Sequence, residues 1–341
     1  MYILAIETSC DETSISIIQD STIDSRILSL ITRSQIDEHF AYGGVVPELA
    51  ARAHLTNIEP ILNQAVKQSG IPLNTIDAIA VTAGPGLIGG VLVGVMLAKS
   101  LSISLEKPLY AINHLEGHAL TARLSHDVSY PYLLLLTSGG HCMFVEVLGF
   151  RKYTLLGQTL DDAAGECFDK VAKLLNLDFP GGPALEKKAI LGNPRRFIFP
   201  KPLEHTPQPN FSFSGLKTAA KLVIEKNALD TQTVCDIAAS FQYTVGEIFK
   251  ERTSKALKCS HHKVERLVMA GGVAANKYLR EQLQSLCTEN AVEAIFPPMH
   301  LCTDNAAMIG WAAIEAIHND MLPSTHDFQP LPRWPLEHLK M

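Results

Sequence analysis

The chain opens with an apolar stretch from Tyr2 to Ile6, a polar turn Glu7-Thr8-Ser9-Cys10-Asp11-Glu12 and a second apolar stretch from Thr13 to Ile18. The same order returns as Tyr132 to Leu136, Thr137-Ser138-Gly139-Gly140-His141 and Cys142 to Leu148. Both read as strand, turn, strand, and Thr8 answers Thr137 at an offset of 129. Two later pairs match at an offset of 187: the helical stretches Pro47 to Ala53 and Val234 to Ser240, and the strand-and-turn segments Ala80 to Pro85 and Leu267 to Gly272. The offset grows by 58 residues, which must be inserted between about Gly149 and Thr233.

A duplicated hairpin, helix, strand, glycine turn and helix describes two related α/β lobes. This is the plan of actin, Hsp70 and the sugar kinases, the duplicated ribonuclease H-like fold called ASKHA. We expect an N-terminal lobe over 1–127 and a C-terminal lobe over 128–341 carrying an insertion at about 150–232. Fold analogy of this kind does not give function. It does predict that the two hairpin turns face each other across a cleft, with backbone N–H groups suited to a nucleotide phosphate.

Length and composition fit a two-domain globular chain, 341 residues with 47% hydrophobic and 19% charged. A net charge of -6 and a pI near 6.1 exclude a globally basic nucleic-acid binder, so any RNA site must be a local patch. The seven cysteines are scattered, without a CxxC pair, as in a reducing cytoplasm. The first residues lack the basic start of a signal peptide. The most membrane-like run, Gly86 to Ala98, is interrupted by glycines and shorter than the ~20 residues of a span, which predicts a buried helix, a cytoplasmic protein and no membrane partner.

The histidines of His114-Leu115-Glu116-Gly117-His118 follow the strand Leu109 to Ile112 and sit at i and i+4 on one helix face. They are either ligands for a divalent transition metal or solvated surface side chains. Glu116 is misplaced for a zinc peptidase, whose general base directly follows the first histidine. Asp304 answers His114 at offset 190 and begins the corresponding helix of the second half. It is either a third ligand, reaching the cleft from the opposite lobe to complete a two-His, one-carboxylate set for Fe(II) or Zn, or a helix N-cap.

Within the insertion, Asp161 to Lys170 opens a helix. Phe179 to Glu186 places two glycines before a carboxylate suited to a ribose hydroxyl or an amine, or else forms a plain helix entry. Between Lys187 and Lys226 there are eight basic residues against two acids, interleaved with Phe197, Phe199, Phe211 and Phe213. That mixture serves RNA phosphates and base stacking, or a solvated loop with core anchors.

Taken together, Glu7 to Thr13, His114 to His118, Ser138 to His141, Gly165 to Lys170, Gly181-Gly182-Pro183, Phe213 to Lys217 and Gly271 to Asn276 resemble the TsaD family along nearly the whole chain. These are the bacterial tRNA N6-adenosine threonylcarbamoyltransferases, related to the catalytic subunit of the KEOPS complex. The resemblance implies an acyltransferase that moves threonylcarbamoyl from threonylcarbamoyl-AMP to the exocyclic amine of the adenosine next to the anticodon, in tRNAs reading codons that begin with A. It implies one divalent metal, Fe(II) or alternatively Zn, on His114, His118 and Asp304. The donor would lie on Thr137, Ser138, Gly139, Gly140, His141, Asp169, Gly182, Glu186 and Asn276, with Asp11, Glu12 and His141 as catalytic candidates. It also implies a TsaB-like paralogue and a TsaE-like ATPase as partners. Cys142 and Cys167 depart from the family's usual threonine and alanine, and the acid at Glu186 varies among relatives. The competing readings are an actin-like small-molecule kinase, a non-catalytic scaffold of this fold and a metallopeptidase.

Overall fold

The computed structural model describes residues 1–339. They fall into two compact units. One holds residues up to Ser129, the turn Gly149–Lys152 and everything from Thr303 onward; the other holds Tyr130–Leu148 and Tyr153–Cys302.

The first unit is built from β1 (Tyr2–Glu7), β2 (Glu12–Gln19), β3 (Ile27–Ser34), a short α1 (Ile36–Phe40), α2 (Pro47–Ser69), β4 (Ala78–Gly84), α3 (Ile88–Leu105), β5 (Leu109–Asn113) and α4 (His114–Ser125). Its sheet runs β3-β2-β1-β4-β5, antiparallel across the first three strands and parallel from β1 to β5. The central strands β1 and β4 are almost wholly apolar and buried, as strands covered on both faces must be.

The second unit repeats the plan with β6 (Tyr132–Thr137), β7 (Cys142–Gly149), β8 (Lys152–Gln158), the inserted helices α5 (Ala164–Leu174), α6 (Gly181–Ala189) and α7 (Ser214–Lys226), then α8 (Thr231–Cys259), β9 (Arg266–Ala270), α9 (Lys277–Glu289) and β10 (Glu293–Ile295). Its sheet order, β8-β7-β6-β9-β10, matches the first strand for strand. The duplication expected from the sequence is therefore present. The repeat also includes a third strand in each copy, β3 and β8, that the hairpin pattern did not reveal. One helix start differs, because β9 leads into a 3-10 turn, Gly272–Ala275, before α9 begins.

Three expectations need correction. The last helix, α10 (Ala306–His318), lies in the first unit, where it packs on α4, β1 and β2, so the boundary of 128–341 for the second lobe does not hold. Asp304 therefore reaches the histidines from within the same unit and not from an opposite lobe. The apolar run after Gly86 becomes α3, an 18-residue helix long and apolar enough by composition to cross a membrane, yet only a third of it is buried. Gly90, Val91, Gly94, Val95 and Ala98 pack inward toward β4, whereas Ile88, Leu92, Met96 and Ile103 remain exposed.

Candidate functional site

The histidine pair owes its position to a helix start. Asn113 closes β5 and caps α4, its Oδ1 accepting from the N–H groups of Leu115 (2.8 Å) and Glu116 (3.3 Å). His114 is thereby fixed as the first helical residue, with His118 one turn on. Neither is a surface histidine: His114 is 6% exposed and His118 fully buried. The cap of α10 is Asn305, whose Oδ1 accepts from the Met308 N–H at 3.1 Å. Asp304 is thus released from capping.

Gly117 is what lets α10 approach α4 closely. A Cβ there would lie 2.8 Å from Ile309 Cδ1 and 3.1 Å from Met308 Cγ. The approach brings His118 Nε2 to 3.0 Å and His114 Nε2 to 3.5 Å from Asp304 Oδ1. The ligand atoms of these three residues all lie within 4.8 Å of one another. Bonds of ~2.1 Å to one ion place neighbouring ligand atoms about 3.0 Å apart in octahedral and about 3.4 Å apart in tetrahedral geometry. The Asp304 contacts at 3.0 and 3.5 Å match these spacings, and the widest pair, up to 4.8 Å apart, has to draw closer for all three atoms to reach one ion. Two imidazoles and one carboxylate are the donor set expected for Fe(II) or Zn.

Around this cluster the first hairpin supplies acids. Glu7, fully buried at the end of β1, lies with Oε2 3.0 Å from His114 Nδ1. Burial would raise its carboxyl, but the His114 charge and hydrogen bond prevail and lower it. Burial alone would push the His114 imidazole down, and Asp304 and Glu7 instead lift it to about 9. Burial, then the charges of Asp304 and Asp11, hold the Glu12 carboxyl well above its usual range, so Glu12 shares the field of the Asp304 carboxylate. Glu116 is elsewhere, buried beside Arg151 Nε at 3.6 Å, which removes the general base a peptidase reading would require.

The other nominated residues assemble in the second unit. The turn after β6 is closed by hydrogen bonds from Ser138 N–H to the His141 carbonyl (2.7 Å) and from His141 N–H to Ser138 Oγ (3.1 Å). Thr137 at its base touches the turn at Gly271, whose φ of +92° and contact with the Thr137 carbonyl leave no room for a side chain. Asp169 on α5 accepts from the Gly181 N–H at 2.8 Å, and Glu186 on α6 accepts from the Lys277 N–H at 2.7 Å. Thr137 to His141, Asp169, Gly182, Glu186 and Asn276 are thus linked through adjoining turns. Gly139, Gly140 and Gly182 have open space where a side chain would be, so a ligand can approach their backbone. Asn276 caps α9 through Oδ1 and donates to Gln242 Oε1, and Glu186 also serves the start of α9.

The model of the TsaD family, tRNA N6-adenosine threonylcarbamoyltransferase, matches residues 26–311. The chain belongs to this family. A relative of that name from Rickettsia rickettsii (strain Sheila Smith) is 53% identical over 98% of both chains, and one from Rickettsia bellii (strain OSU 85-389) is 54% identical over 99% of both. Among solved structures, HypF of T. kodakarensis aligns with a TM-score of 0.64 at 12% identity, over 94% of this chain and 48% of that one. The activator of 2-hydroxyisocaproyl-CoA dehydratase from Clostridium difficile aligns at 0.54 and 16% identity, over 94% and 97%. Such distant likenesses show the fold alone, the duplicated actin-like one.

In this TsaD chain three of the four phenylalanines of the basic segment are buried core anchors, and Phe197 is half-buried against the same core. Phe211 and Phe213 are fully buried, stack on each other at 5.9 Å between centroids and pack against Phe249, while Phe199 is 6% exposed. Half of the segment's cations are paired with acids: Arg196 with Asp236, Lys217 with Asp162, Lys201 with Glu204 and Lys221 with Glu225. All seven cysteines are free thiols. Glu7 joins the site without a chemical motif of its own in the sequence, and its one visible signal is an acid ending an otherwise apolar strand.

Proposed function

We propose that this chain transfers the threonylcarbamoyl group of threonylcarbamoyl-AMP to the exocyclic amine of the adenosine next to the anticodon, in tRNAs reading codons that begin with A. The observation that carries this reading is the buried His114, His118 and Asp304 cluster in a chain that matches threonylcarbamoyltransferases end to end. In the reaction the amine nitrogen bonds to the carbamoyl carbon, the bond from that carbon to the AMP phosphate oxygen breaks, and AMP leaves with the electron pair. The amine proton passes to Asp11 or His141.

His114, His118 and Asp304 would hold one divalent ion, Fe(II) with Zn as the alternative, which supplies Lewis acidity toward a phosphate or carbamoyl oxygen of the donor. Backbone N–H groups of Gly139 and Gly140 would face the charge that builds on AMP, and open Gly139, Gly140 and Gly182 admit the donor. Thr137, Asp169, Glu186 and Asn276 shape the walls of that subsite. An anticodon-loop base is single-stranded and enters without melting a duplex. Lys187, Lys188, Arg195 and Lys226 supply positive charge for the tRNA.

The exposed apolar face of α3, Ile88, Leu92, Met96 and Ile103, supports a TsaB-like paralogue as partner, with a TsaE-like ATPase expected beside it in the cytoplasm. The test is transfer of labelled threonine from threonylcarbamoyl-AMP to unmodified tRNA with both partners present, comparing the chain with His114→Ala. Product from the unmutated chain alone supports transfer and the metal role. No product from either, with the donor verified, overturns the reading in favour of a scaffold or kinase.

A further inference from the structure

The two histidines of the cluster differ in how they are held. His118 Nδ1 is buried and has no hydrogen-bond partner. His114 Nδ1 instead faces Glu7 Oε2 at 3.0 Å and Ser9 Oγ at 3.1 Å, which leaves its Nε2 directed at Asp304. Glu7 lies outside the His114, His118 and Asp304 cluster, and both its oxygens are engaged. Oε1 accepts from the Ser9 N–H at 2.5 Å, and Oε2 accepts from Thr82 Oγ1 as well as facing His114. A fully buried carboxylate at the end of an apolar strand is unfavourable unless such partners compensate for its lost hydration. The three contacts do that, and they also fix the carboxylate in one orientation.

We propose that Glu7 is the positioning residue of the metal centre: held by Thr82 and the Ser9 N–H, it accepts the Nδ1 proton of His114 and so presents Nε2 as the ligand atom. A metal-ligating imidazole gains basicity and a fixed ring orientation when its other nitrogen donates to a carboxylate. The arrangement also explains why a hairpin turn on β1, distant in sequence from α4, belongs to the centre. The inference rests on the reading that His114, His118 and Asp304 bind an ion, and it adds a residue outside that set.

The test uses the full chain and Zn(II) alone as probe. Zn(II) affinity is measured by competition with a chromophoric chelator for the unmutated chain and for Glu7→Gln, which keeps the size of the side chain. Melting of the metal-free proteins is recorded alongside. The expected result is a Kd raised about 10- to 100-fold by Glu7→Gln, with metal-free melting retained. A Kd within threefold of the unmutated value overturns the role of Glu7 and leaves the metal reading intact; no Zn(II) binding by the unmutated chain overturns both. A second measurement needs no variant and decides the matter if Glu7→Gln does not fold. In the Zn(II)-loaded chain, 15N spectra of the histidines should show His114 with Nε2 bound to the metal and a slowly exchanging proton on Nδ1. A metal-bound Nδ1, or a rapidly exchanging Nδ1 proton, overturns the proposal.

Discussion

Gly271→Ala should separate damage to the second unit's turn proposed to hold the donor from a general loss of fold. Gly271 adopts φ +92° and ψ 165°, a region available almost only to glycine. A Cβ added there would lie 2.4 Å from the Thr137 carbonyl oxygen and 2.6 Å from its carbon. Since ordinary contacts of this kind are about 3.4 Å, the two backbones must part by about 1 Å. Backbone strain of about 1–3 kcal/mol and overpacking of about 1–3 kcal/mol together give about 2–6 kcal/mol. For a unit of this size each kcal/mol lowers Tm by about 2–4 °C, so a central loss of about 4 kcal/mol lowers it by about 8–16 °C. Thr137 begins the turn assigned to the donor, and a displacement of about 1 Å there should slow transfer about 100-fold in protein that is still folded at 25 °C. The assay pairs thermal melting by circular dichroism with single-turnover transfer to tRNA. Gly272→Ala is the control, because open space surrounds that position, and it should melt within about 2 °C of the unmutated chain. A Gly271→Ala protein that also melts within 2 °C refutes the reasoning.

Asp304→Ala should abolish stoichiometric Zn(II) binding in equilibrium dialysis, since it removes one of three ligands while leaving the Asn305 cap in place; retained one-to-one binding would exclude Asp304 from the set. Glu146, 3% exposed, accepts from Ser260 Oγ, His261 N–H and His261 Nδ1. Burial would raise its carboxyl, yet these bonds lower it below the ordinary value. A depressed folded-state pKa stabilises the protein above the unfolded value of about 4.3 and loses that stabilisation as pH falls through the folded value. Glu146→Gln should therefore lower stability by about 1–3 kcal/mol at pH 7, with the gap to the unmutated chain closing in urea titrations below pH 4. Iodoacetamide should alkylate exposed Cys259 first, because burial raises the thiols of Cys142, Cys167 (to about 12) and Cys287 (to about 11). Peptide mass spectrometry showing Cys167 labelled as fast would contradict the packing of α5.

The duplicated plan was legible because its central strands are apolar and its turns carry their own chemistry. Tyr2–Glu7 and Tyr132–Thr137 are buried on both faces and stand out as short continuous apolar runs bounded by polar turns. The edge strands β3 and β8 escaped notice for the opposite reason. Ile27–Ser34 and Lys152–Gln158 are mostly half-exposed, mix Ser, Thr, Arg and Lys with aliphatics, and show no clean alternation. The misassignment of α10 has a different origin. A helix whose residues are nearly all buried, as Ala306 to Ala316 are, carries no polar face to show which sheet it covers, and only three-dimensional packing assigns it to β1.

At the candidate metal centre, spacing on a single helix was enough to nominate His114 and His118, and the repeat was enough to nominate Asp304. What the chain order could not convey was why these residues converge. A one-residue offset between alternatives decides the role of Asp304: its neighbour Asn305 takes the cap, and the carboxylate is left for the histidines. Gly117, inconspicuous inside His114 to His118, sets the distance by admitting Ile309 and Met308 against α4. Glu7 enters from a third element 107 residues before His114, with no helical or strand periodicity connecting the two. A burial penalty is the one signal that would have singled it out: a carboxylate placed at the end of an apolar central strand must have buried partners, and the His114 imidazole is the titratable group that meets it.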